Sequence, residues 1–320
     1  MNPLLELHNV TKSFKVKTSS FRRSREKLTA VDRVNLQIRL GECLGLVGES
    51  GCGKSTVARL IVRLEKPTEG QIIFNGQDLS SLSHKDEMRF RQKVQMIFQD
   101  PYSSLNPRKT IGSIIGESWQ IHNLGNRRER RSKVLELMEE VGLRPEYYTR
   151  YPHEFSGGQR QRAGIARALS LNPDLIVADE PVSALDVSIQ AQVVNLLKDL
   201  QEKFNLTYLF IAHNLALVRH VADRIAVMYL GRLVEVVPKE LFGKVEHHPY
   251  TLALLTSMPA ASPRARRKIQ PLLGDVPSPI NPPSGCTFHP RCLEQIDICR
   301  NVPPELKEVS PQHFISCHRR

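Results

Sequence analysis

The sequence predicts an α/β protein that carries an inserted helical subdomain and a small cysteine-bearing C-terminal extension. Short apolar segments typical of buried strands alternate with segments of helical periodicity. Between about residues 100 and 170 the pattern becomes helical and interrupts this alternation. Four of the six cysteines fall within the last 35 residues, which sets the C-terminal segment apart.

Two periodicities indicate the first elements. Apolar residues alternate with polar ones, as in a half-buried strand, at Val34, Leu36, Ile38 and Leu40. The segment ECLGLVG follows as a short apolar run into glycine and suits a buried strand. Helical spacing then appears at Val57, Leu60, Ile61 and Leu64, so we expect a helix that begins near Lys54. Strand, glycine-rich turn and helix in this order are typical of α/β proteins.

The later elements follow the same two patterns. VQMIFQ (94–99) is a strand candidate, and LIVAD (175–179) and YLFIAH (208–213) suit central parallel strands. Between them, helical spacing marks one helix at Val134, Leu137, Met138 and Val141, which Gly142 ends. A second helix, joining the two parallel strands, is marked by Ile189, Val193, Leu197 and Leu200. RIAVMYLGRLVEVV predicts two closing strands. We place one domain at 1–240 and the extension at 241–320.

Composition excludes some classes of protein. No apolar run approaches the ~18 residues that a membrane span needs, and the first residues, MNPLLELHNVTKSF, lack the pattern of a secretory signal. We therefore expect a cytosolic protein. The net charge of +12 favours a nucleic acid, an anionic membrane surface or an acidic ligand, or is a solvated surface. The basic run from Lys15 to Lys27 is interpreted as a solvated loop, with a lipid or partner contact as the alternative.

A phosphate-binding loop is predicted at GESGCGKS, residues 48–55, between a strand and a helix. Glycines let the backbone approach the phosphates, and Lys54 adds a positive charge beside them. The Ser55 hydroxyl would face Mg²⁺. A chance glycine-rich turn is the alternative, and the strand-to-helix context argues against it. The residues predicted to contact the nucleotide here are Gly48, Gly51, Gly53, Lys54, Ser55 and Thr56.

Two carboxylates end the predicted strand LIVADE, residues 175–180. Asp179 would hold Mg²⁺ through water, and Glu180 would point at the water that attacks the γ-phosphate. A carboxylate can act as that base only within hydrogen-bond reach of the water. The alternative is a pair of solvated acids at a strand end. Beside a phosphate loop, the catalytic interpretation is favoured.

A second glycine-rich helix entry, FSGGQ (155–159), completes a set that resembles the ATPases of ABC transporters. Over about residues 4 to 240, the motifs occur in the order typical of that family. They are the phosphate loop, Gln99 after an apolar strand, FSGGQ, LIVADE, SALD and His213. The resemblance implies a P-loop ABC ATPase core. It also implies that two such domains pack head to tail, so that Ser156, Gly158 and Gln159 meet the γ-phosphate of ATP held by the other chain.

The resemblance implies roles for four further residues. Phe14 would stack on adenine, where the family usually has tyrosine; plain burial in the core is the alternative. Gln99 would contact Mg²⁺ and the lytic water, Asp186 would act across the dimer, and His213 would contact the γ-phosphate. Two positions depart from the family pattern. Phe155 replaces leucine, a mild change, and Asn214 replaces the carboxylate that usually follows the histidine.

The C-terminal extension resembles that of dipeptide and oligopeptide importer ATPases, in the segments HHPYTLALLTSMP and PPSGCTFHPRC. The same subgroup is resembled by QDPYSSLNPRKTIG (99–112). Within this subgroup the chain is most similar to the dipeptide permease subunit of the F type. This implies a paralogous ATPase as dimer partner, two membrane permease subunits and an extracytoplasmic solute-binding protein. The chain would lie at the cytoplasmic face of the inner membrane, held through the permease. Importers of nickel or other small solutes share much of this pattern.

A nucleic-acid-linked ABC ATPase is the competing class, and the net charge favours it. Repair members separate their motifs with long insertions, and translation-factor members carry two ATPase halves in one chain. Here the gap from Lys54 to Ser156 is short and one half is present. We therefore expect no nucleic-acid partner.

The C-terminal cysteines follow a proline-rich stretch, Pro259–Pro283, and have the spacing C-x5-C-x6-C-x17-C. A cytosolic disulfide is disfavoured, and structural zinc generally uses closer pairs. The spacing suits an iron–sulfur cluster, and the importer subgroup carries a [4Fe–4S] cluster in this extension. Zinc, with His289, His313 or His318 as a ligand, and unligated thiols remain alternatives. Cys43 and Cys52 are not expected to participate. The predicted ligands are Cys286, Cys292, Cys299 and Cys317.

Overall fold

The computed structural model describes residues 3–17, 25–257 and 274–320. In chain order the strands are β1 (Pro3–Lys17), β2 (Arg25–Arg39), β3 (Cys43–Val47), β4 (Glu69–Phe74), β5 (Gln77–Asp78), β6 (Val94–Ile97), β7 (Leu175–Asp179), β8 (Thr207–Ala212), β9 (Arg224–Tyr229), β10 (Arg232–Pro238), β11 (Lys307–Ser310) and β12 (His313–Ile315). The helices are α1 (Lys54–Ile61), α2 (His84–Lys93), α3 (Pro101–Ser104), α4 (Ile111–Ile121), α5 (Arg127–Glu140), α6 (Gly157–Leu169), α7 (Val187–Phe204), α8 (Leu215–Val221) and α9 (Pro249–Ser257). Much of the basic run and the first part of the proline-rich stretch lie outside the described residues.

The chain divides into two compact units. Of the described residues, the first unit consists of Arg39–Cys43 and Ser81–Ile211, and the second of those up to Ile38, Leu44–Ser80 and those from Ala212 to Arg320. The predicted α/β class is confirmed, since parallel strands and helices occur in the elements given above. In the ranges that the structure describes, no helix combines the length and the apolar character that crossing a bilayer requires.

Parallel strands form the centre of the first unit. β6 pairs with β7, and β7 pairs with β8, both in parallel. All five residues of β7 and all six of β8 are buried. This explains why these strands appear in the sequence as continuous apolar runs rather than alternating ones, since parallel strands are covered on both faces. Helices α3 to α6 occupy the stretch between β6 and β7, as predicted for the inserted helical region.

The second unit holds the phosphate-loop segment and the C-terminal extension. β3 pairs in parallel with β9, and β9 pairs with β10 antiparallel. The extension contributes its own strands, because β12 pairs antiparallel with β10 and β11 pairs with β12. A separate sheet has the order β2-β1-β4-β5. The C-terminal segment is therefore joined to this unit by backbone hydrogen bonds.

Two apolar residues predicted to lie on buried faces are exposed, and both lie just past the end of an element. Leu40 is 59% exposed, because β2 ends at Arg39 and the chain turns through Gly41 at φ +77°. Leu64 is 61% exposed, because α1 ends at Ile61 and Arg63 adopts φ +57°. Their neighbours Ile38 and Ile61 are fully buried. Periodicity alone extended β2 by one residue and α1 by three residues beyond their observed ends.

Candidate functional site

The predicted phosphate loop joins the buried strand β3 to α1, which begins at Lys54 as expected. Gly53 is the N-cap residue of α1 and has φ +108°, a left-handed conformation that side chains disfavour. A Cβ atom at Gly53 would lie 2.1 Å from the Ala30 carbonyl oxygen. The turn therefore requires glycine for both conformation and space.

Lys54 is the buried cation of this loop, with 4% exposure. Its ammonium Nζ donates to the carbonyl oxygens of Gly48 at 2.8 Å and Glu49 at 2.9 Å. Ser55 and Thr56 lie in the first turn of α1, which contains no acidic residue. The N-terminus of a helix favours an anion because its N–H groups are unpaired and its dipole is positive there. The loop has the charge and geometry that suit phosphate.

The two predicted carboxylates lie at the end of β7 in the first unit. Asp179 is the last residue of the strand and is 5% exposed. Glu180 follows with φ +46°, an uncommon conformation for a residue with a side chain. Its N–H donates to Ile211 O at 3.0 Å, and Ser183 Oγ donates to its carbonyl at 3.1 Å. Such conformations persist where surrounding structure enforces them, often at functional sites.

Gln99 and Glu180 come together in this unit, although they are 81 residues apart in sequence. Gln99 Nε2 donates to Glu180 Oε2 at 2.8 Å. The pairing follows from topology, since β6 and β7 are adjacent parallel strands whose carboxyl ends share one edge of the sheet. The amide of Gln99 orients the Glu180 carboxylate at this edge.

The glycine-rich segment FSGGQ (155–159), called the signature segment below, leads into helix α6, as its glycines and polar residues predict. Ser156 is the N-cap residue, and it forms a capping box with Gln159. Ser156 N–H donates to Gln159 Oε1 at 3.0 Å, and Gln159 N–H donates to Ser156 Oγ at 3.4 Å. A Cβ atom at Gly158 would lie 2.7 Å from Ile189 Cγ2 of α7, the helix that follows Asp186. Glycine at 158 is therefore required for packing as well.

The second unit also contains the predicted site residues His213 and Phe14, and Asn214, which departs from the family pattern. His213 is exposed and follows β8 directly. Asn214 is the N-cap residue of α8, and its Oδ1 accepts from Ala216 N–H at 2.9 Å. Asparagine thus serves the local helix start, a use that the sequence comparison did not identify. Phe14 on β1 is half-buried, with Lys12 Nζ 5.0 Å from its ring centroid.

The four C-terminal cysteines all lie in the described part of the extension. Cys286 N–H donates to Cys299 O at 2.8 Å. Burial first, and then the neighbouring thiols of Cys299, Cys292 and Cys317, raise the pKa of Cys286 to about 11. Burial also raises the pKa of Cys292. The four thiols are therefore close enough to influence one another electrostatically.

Other potential ligands in the extension are engaged elsewhere. His289 Nδ1 is 2.9 Å from Cys286 O, and His318 Nε2 is 2.8 Å from Val302 O. His313 Nε2 is 2.8 Å from Glu235 Oε1. Of the remaining cysteines, Cys43 lies in buried strand β3 and Cys52 lies 3.7 Å from Lys54 Nζ.

A buried polar network joins the extension to β10, and the sequence analysis did not find it. His247 Nδ1 lies 2.6 Å from Glu235 Oε1, and His248 N–H donates to Glu235 Oε2 at 3.0 Å. Because Gly243 N–H donates to His247 Nε2 at 2.8 Å, Nδ1 carries the proton that Glu235 accepts. The only signal was the HHPY stretch, which gives no indication of a partner at residue 235.

We expect this network to make the stability of the fold sensitive to acid. Burial alone raises the pKa of Glu235, but hydrogen bonds from His247 and His313 outweigh burial and hold the pKa at about 2, below its ordinary value of 4.5. The carboxylate therefore stabilises the folded chain fully above pH 4.5, and this stability is lost as pH falls towards 2.

Glu235→Leu should lower the free energy of unfolding at neutral pH by about 3–5 kcal/mol, because buried donors lose their acceptor. Glu235→Gln should reduce the acid sensitivity. Urea denaturation at several pH values checks both results, with the exposed Glu240→Gln as control. Unchanged stability in Glu235→Leu would contradict the role assigned to the network.

The fold and the site define a P-loop ATPase. The chain matches the ABC transporter family over residues 31–183 and the family described as "Oligopeptide/dipeptide transporter, C-terminal region" over residues 234–299. It is 56% identical over 318 residues to the oligopeptide transport ATP-binding protein AppF of Bacillus subtilis, covering 98% of this chain and 97% of that one. It is 49% identical to the dipeptide transport ATP-binding protein DppF of Haemophilus influenzae, covering 98% and 96% of the two chains.

A solved structure agrees with the family assignment. The ATP-binding cassette MJ0796, solved as a dimer in a post-hydrolysis state with ADP and Pi, is 32% identical, with a TM-score of 0.65. It covers 73% of this chain and 98% of its own. This chain belongs to the family of ABC transporter ATP-binding proteins, in the branch that carries the oligopeptide/dipeptide transporter C-terminal region. The resemblance inferred from the motifs is confirmed.

Proposed function

We propose that this chain is the ATP-hydrolysing subunit of an importer for dipeptides or oligopeptides. The observation that carries this proposal is similarity along almost the whole chain to proteins named for oligopeptide and dipeptide transport. The match includes the extension as well as the ATPase core. Apart from the net charge of +12, no observation on the described residues favours nickel or nucleic acid as the cargo or partner.

The phosphate loop is the proposed binding site for the phosphates of ATP. Lys54 would keep the carbonyls of Gly48 and Glu49 as two of its partners and add a charge-assisted hydrogen bond to a phosphate oxygen, since an ammonium group has three N–H donors. Phe14 would stack on adenine. The helix start at Ser55 and Thr56 would offer N–H groups and hydroxyls to the anion.

Mg²⁺ fits the oxygen donors proposed for it, since the metal prefers hydroxyl, carbonyl and carboxylate oxygens. Ser55, Gln99 and Asp179 would hold it, directly or through water. When bound, it would supply positive charge to the phosphate oxygens.

Hydrolysis is assigned to Glu180 as general base. Its carboxylate would take the proton of the attacking water, and Gln99 would keep it in position through the 2.8 Å hydrogen bond. His213 would donate to the γ-phosphate. Ser156, Gly158 and Gln159 would contact the γ-phosphate of ATP held by a partner ATPase, and Asp186 would act across the same interface.

The proposed resting assembly contains one copy of this chain and one paralogous ATPase beneath two permease subunits. Each chain carries one phosphate loop and one signature segment, so two chains are needed for complete sites. We place the assembly at the cytoplasmic face of the inner membrane, where it would receive cargo from an extracytoplasmic binding protein. Mass measurement of the intact complex should show both ATPases; two copies of this chain with no paralogue would contradict the heterodimer.

We also propose that the C-terminal cysteines hold a [4Fe–4S] cluster. A tetrahedral zinc with bonds of ~2.3 Å needs its sulfur ligands within about 4 Å of one another. On the described residues, the one group of three or more Cys, His, Asp or Glu donors within 4.8 Å is Glu235, His247 and His313, so the thiols are more widely spaced. A four-iron cluster is larger than a single ion and suits wider spacing. When bound, it would supply a covalent cross-link between turns of the extension.

Metal analysis tests the cluster directly. Protein purified without oxygen should contain about four iron and four sulfide per chain, the content of a [4Fe–4S] cluster. Cys299→Ser should reduce both, whereas Cys43→Ser, in a core strand, should leave them unchanged. Stoichiometric zinc without iron, or no metal in intact protein, would contradict the proposal.

The cargo is tested by identifying which solute-binding protein co-purifies with the assembled transporter, and which solutes bind to that protein. A binding protein that retains dipeptides or oligopeptides supports the proposal. One that binds nickel and no peptide would move the chain to the alternative class of importers.

A further inference from the structure

Two side chains from the C-terminal part of the chain contact the phosphate loop at Glu49. Arg291 Nη1 lies 2.7 Å from Glu49 Oε2, and Arg291 Nη2 lies 3.3 Å from Glu49 Oε1, so the ion pair is bidentate. Tyr250 on α9 accepts a hydrogen bond from the Glu49 backbone N–H at 2.9 Å through its hydroxyl. Glu49 is therefore held by both its side chain and its backbone, from 242 and 201 residues away in sequence.

Both contacting groups are fixed by packing. The Arg291 side chain is 5% exposed and the Glu49 side chain 25%, so the ion pair is largely shielded from water. Tyr250 is fully buried, and its ring centroid lies 4.7 Å from that of Tyr229 and 5.4 Å from that of Phe288. Phe288, three residues before Arg291, packs edge-on against Tyr229 at 5.2 Å. These aromatic contacts give the two polar groups defined positions.

The contact at Glu49 reaches Lys54 through one peptide group. The Gly48–Glu49 peptide is planar and trans, so its N–H and C=O point in opposite directions. Its N–H points to Tyr250, and its carbonyl, Gly48 O, accepts from Lys54 Nζ at 2.8 Å. The next carbonyl, Glu49 O, accepts from the same ammonium at 2.9 Å. Fixing the orientation of this peptide therefore also fixes the carbonyls that hold the Lys54 side chain.

We propose that Arg291 and Tyr250 are positioning residues. Through the ion pair and the hydrogen bond that they form with Glu49, they hold the phosphate loop in the conformation that binds ATP. The proposal rests on the proposed phosphate site at Lys54. A loop that is already in its binding conformation loses less conformational entropy when the ligand arrives, and binds more tightly for that reason. The C-terminal extension would thus set the affinity of the ATPase for nucleotide as well as adding strands to the sheet.

The expected effect is on binding rather than on the chemical step. Arg291→Ala should weaken Mg·ATP binding by about tenfold, the value of one strong charge-assisted contact. Tyr250→Phe keeps the packed ring and removes one neutral hydrogen bond, so we expect a loss of about threefold. Because Glu180 and Gln99 are unchanged, kcat at saturating ATP should stay within about twofold while KM rises. Arg291→Lys should restore part of the affinity, since lysine keeps the charge but lacks the bidentate geometry.

The test measures Mg·ATP binding to the full chain by calorimetry, and KM and kcat in the assembled transporter. Arg320→Ala is the matched control, because Arg320 forms an ion pair with Glu294 at 2.8 Å within the extension and has no described contact with the phosphate loop. Glu49→Gln and the Arg291→Ala/Glu49→Gln double variant complete a cycle. The double variant should bind Mg·ATP with about the same affinity as whichever single variant binds it less tightly. Each of the two substitutions already removes the same ion pair, so the second has nothing further to remove.

Lys54→Ala separates failure of this proposal from failure of the proposed site. If Lys54→Ala weakens binding while Arg291→Ala and Tyr250→Phe bind as wild type, the positioning role is overturned. If Lys54→Ala also binds as wild type, the phosphate site itself is wrong. Equal losses in Arg320→Ala and Arg291→Ala would show general loosening of the extension and would also overturn the proposal. Should Arg291→Ala fail to fold, Tyr250→Phe and Glu49→Gln still decide.

Discussion

The Glu180→Gln chain is expected to bind ATP while its hydrolysis falls by at least about a hundredfold, the contribution of a well-placed general base. Glutamine keeps the shape of the side chain, its amide can remain near Gln99, and it has no basic oxygen to take the proton of water. Because the bound ATP is not hydrolysed, the ATPase dimer should remain closed, and the closed dimer should accumulate. Turnover and nucleotide-dependent association in the assembled complex check both effects.

The control for this variant is Glu202→Gln, a change of the same kind at an exposed carboxylate near the end of α7. It should hydrolyse ATP at the wild-type rate. Near-normal turnover in Glu180→Gln would remove Glu180 from the role of base. Loss of ATP binding in that variant would instead indicate that the left-handed turn at residue 180 had been disturbed.

Lys54→Ala should show the opposite division of effects. Removing the buried ammonium eliminates charge-assisted hydrogen bonds to phosphate, so affinity for Mg·ATP should fall by about tenfold to a hundredfold. Calorimetric titration of the full chain measures this loss directly. Lys244→Ala, which removes an exposed ammonium, should bind as wild type. Unchanged affinity in Lys54→Ala would contradict its role at the phosphates.

Local patterns predicted the parts of the fold that depend on neighbouring residues. The apolar run ending at Asp179 is a buried parallel strand, and the spacing after the phosphate loop predicted that α1 begins at Lys54. Leu40 and Leu64 show the limit of this method. Each is the next apolar residue in the periodic pattern of its element. The turns that end β2 and α1 depend on backbone dihedral angles, which the spacing of apolar residues does not predict.

Contacts between distant residues were beyond local patterns. The sequence predicted that Gln99 and Glu180 act together only through resemblance to a family, and the strand order explains why they meet. Glu235 lies in the apolar run LVEVV of a predicted strand, which indicates no partner for it, and only the fold places His247 and His313 against it. Arg291 lies between Cys286 and Cys292, and no local signal links it to Glu49, 242 residues earlier in the sequence.

ATP-driven uptake of a labelled dipeptide or oligopeptide into proteoliposomes tests the central claim most directly. The vesicles would contain the two permease subunits, the partner ATPase and this chain, with the binding protein supplied in solution. We predict uptake that requires Mg·ATP and is lost when this chain carries Glu180→Gln. A complex that hydrolyses ATP but accumulates no peptide, or that takes up peptide at the wild-type rate with Glu180→Gln, would contradict the account.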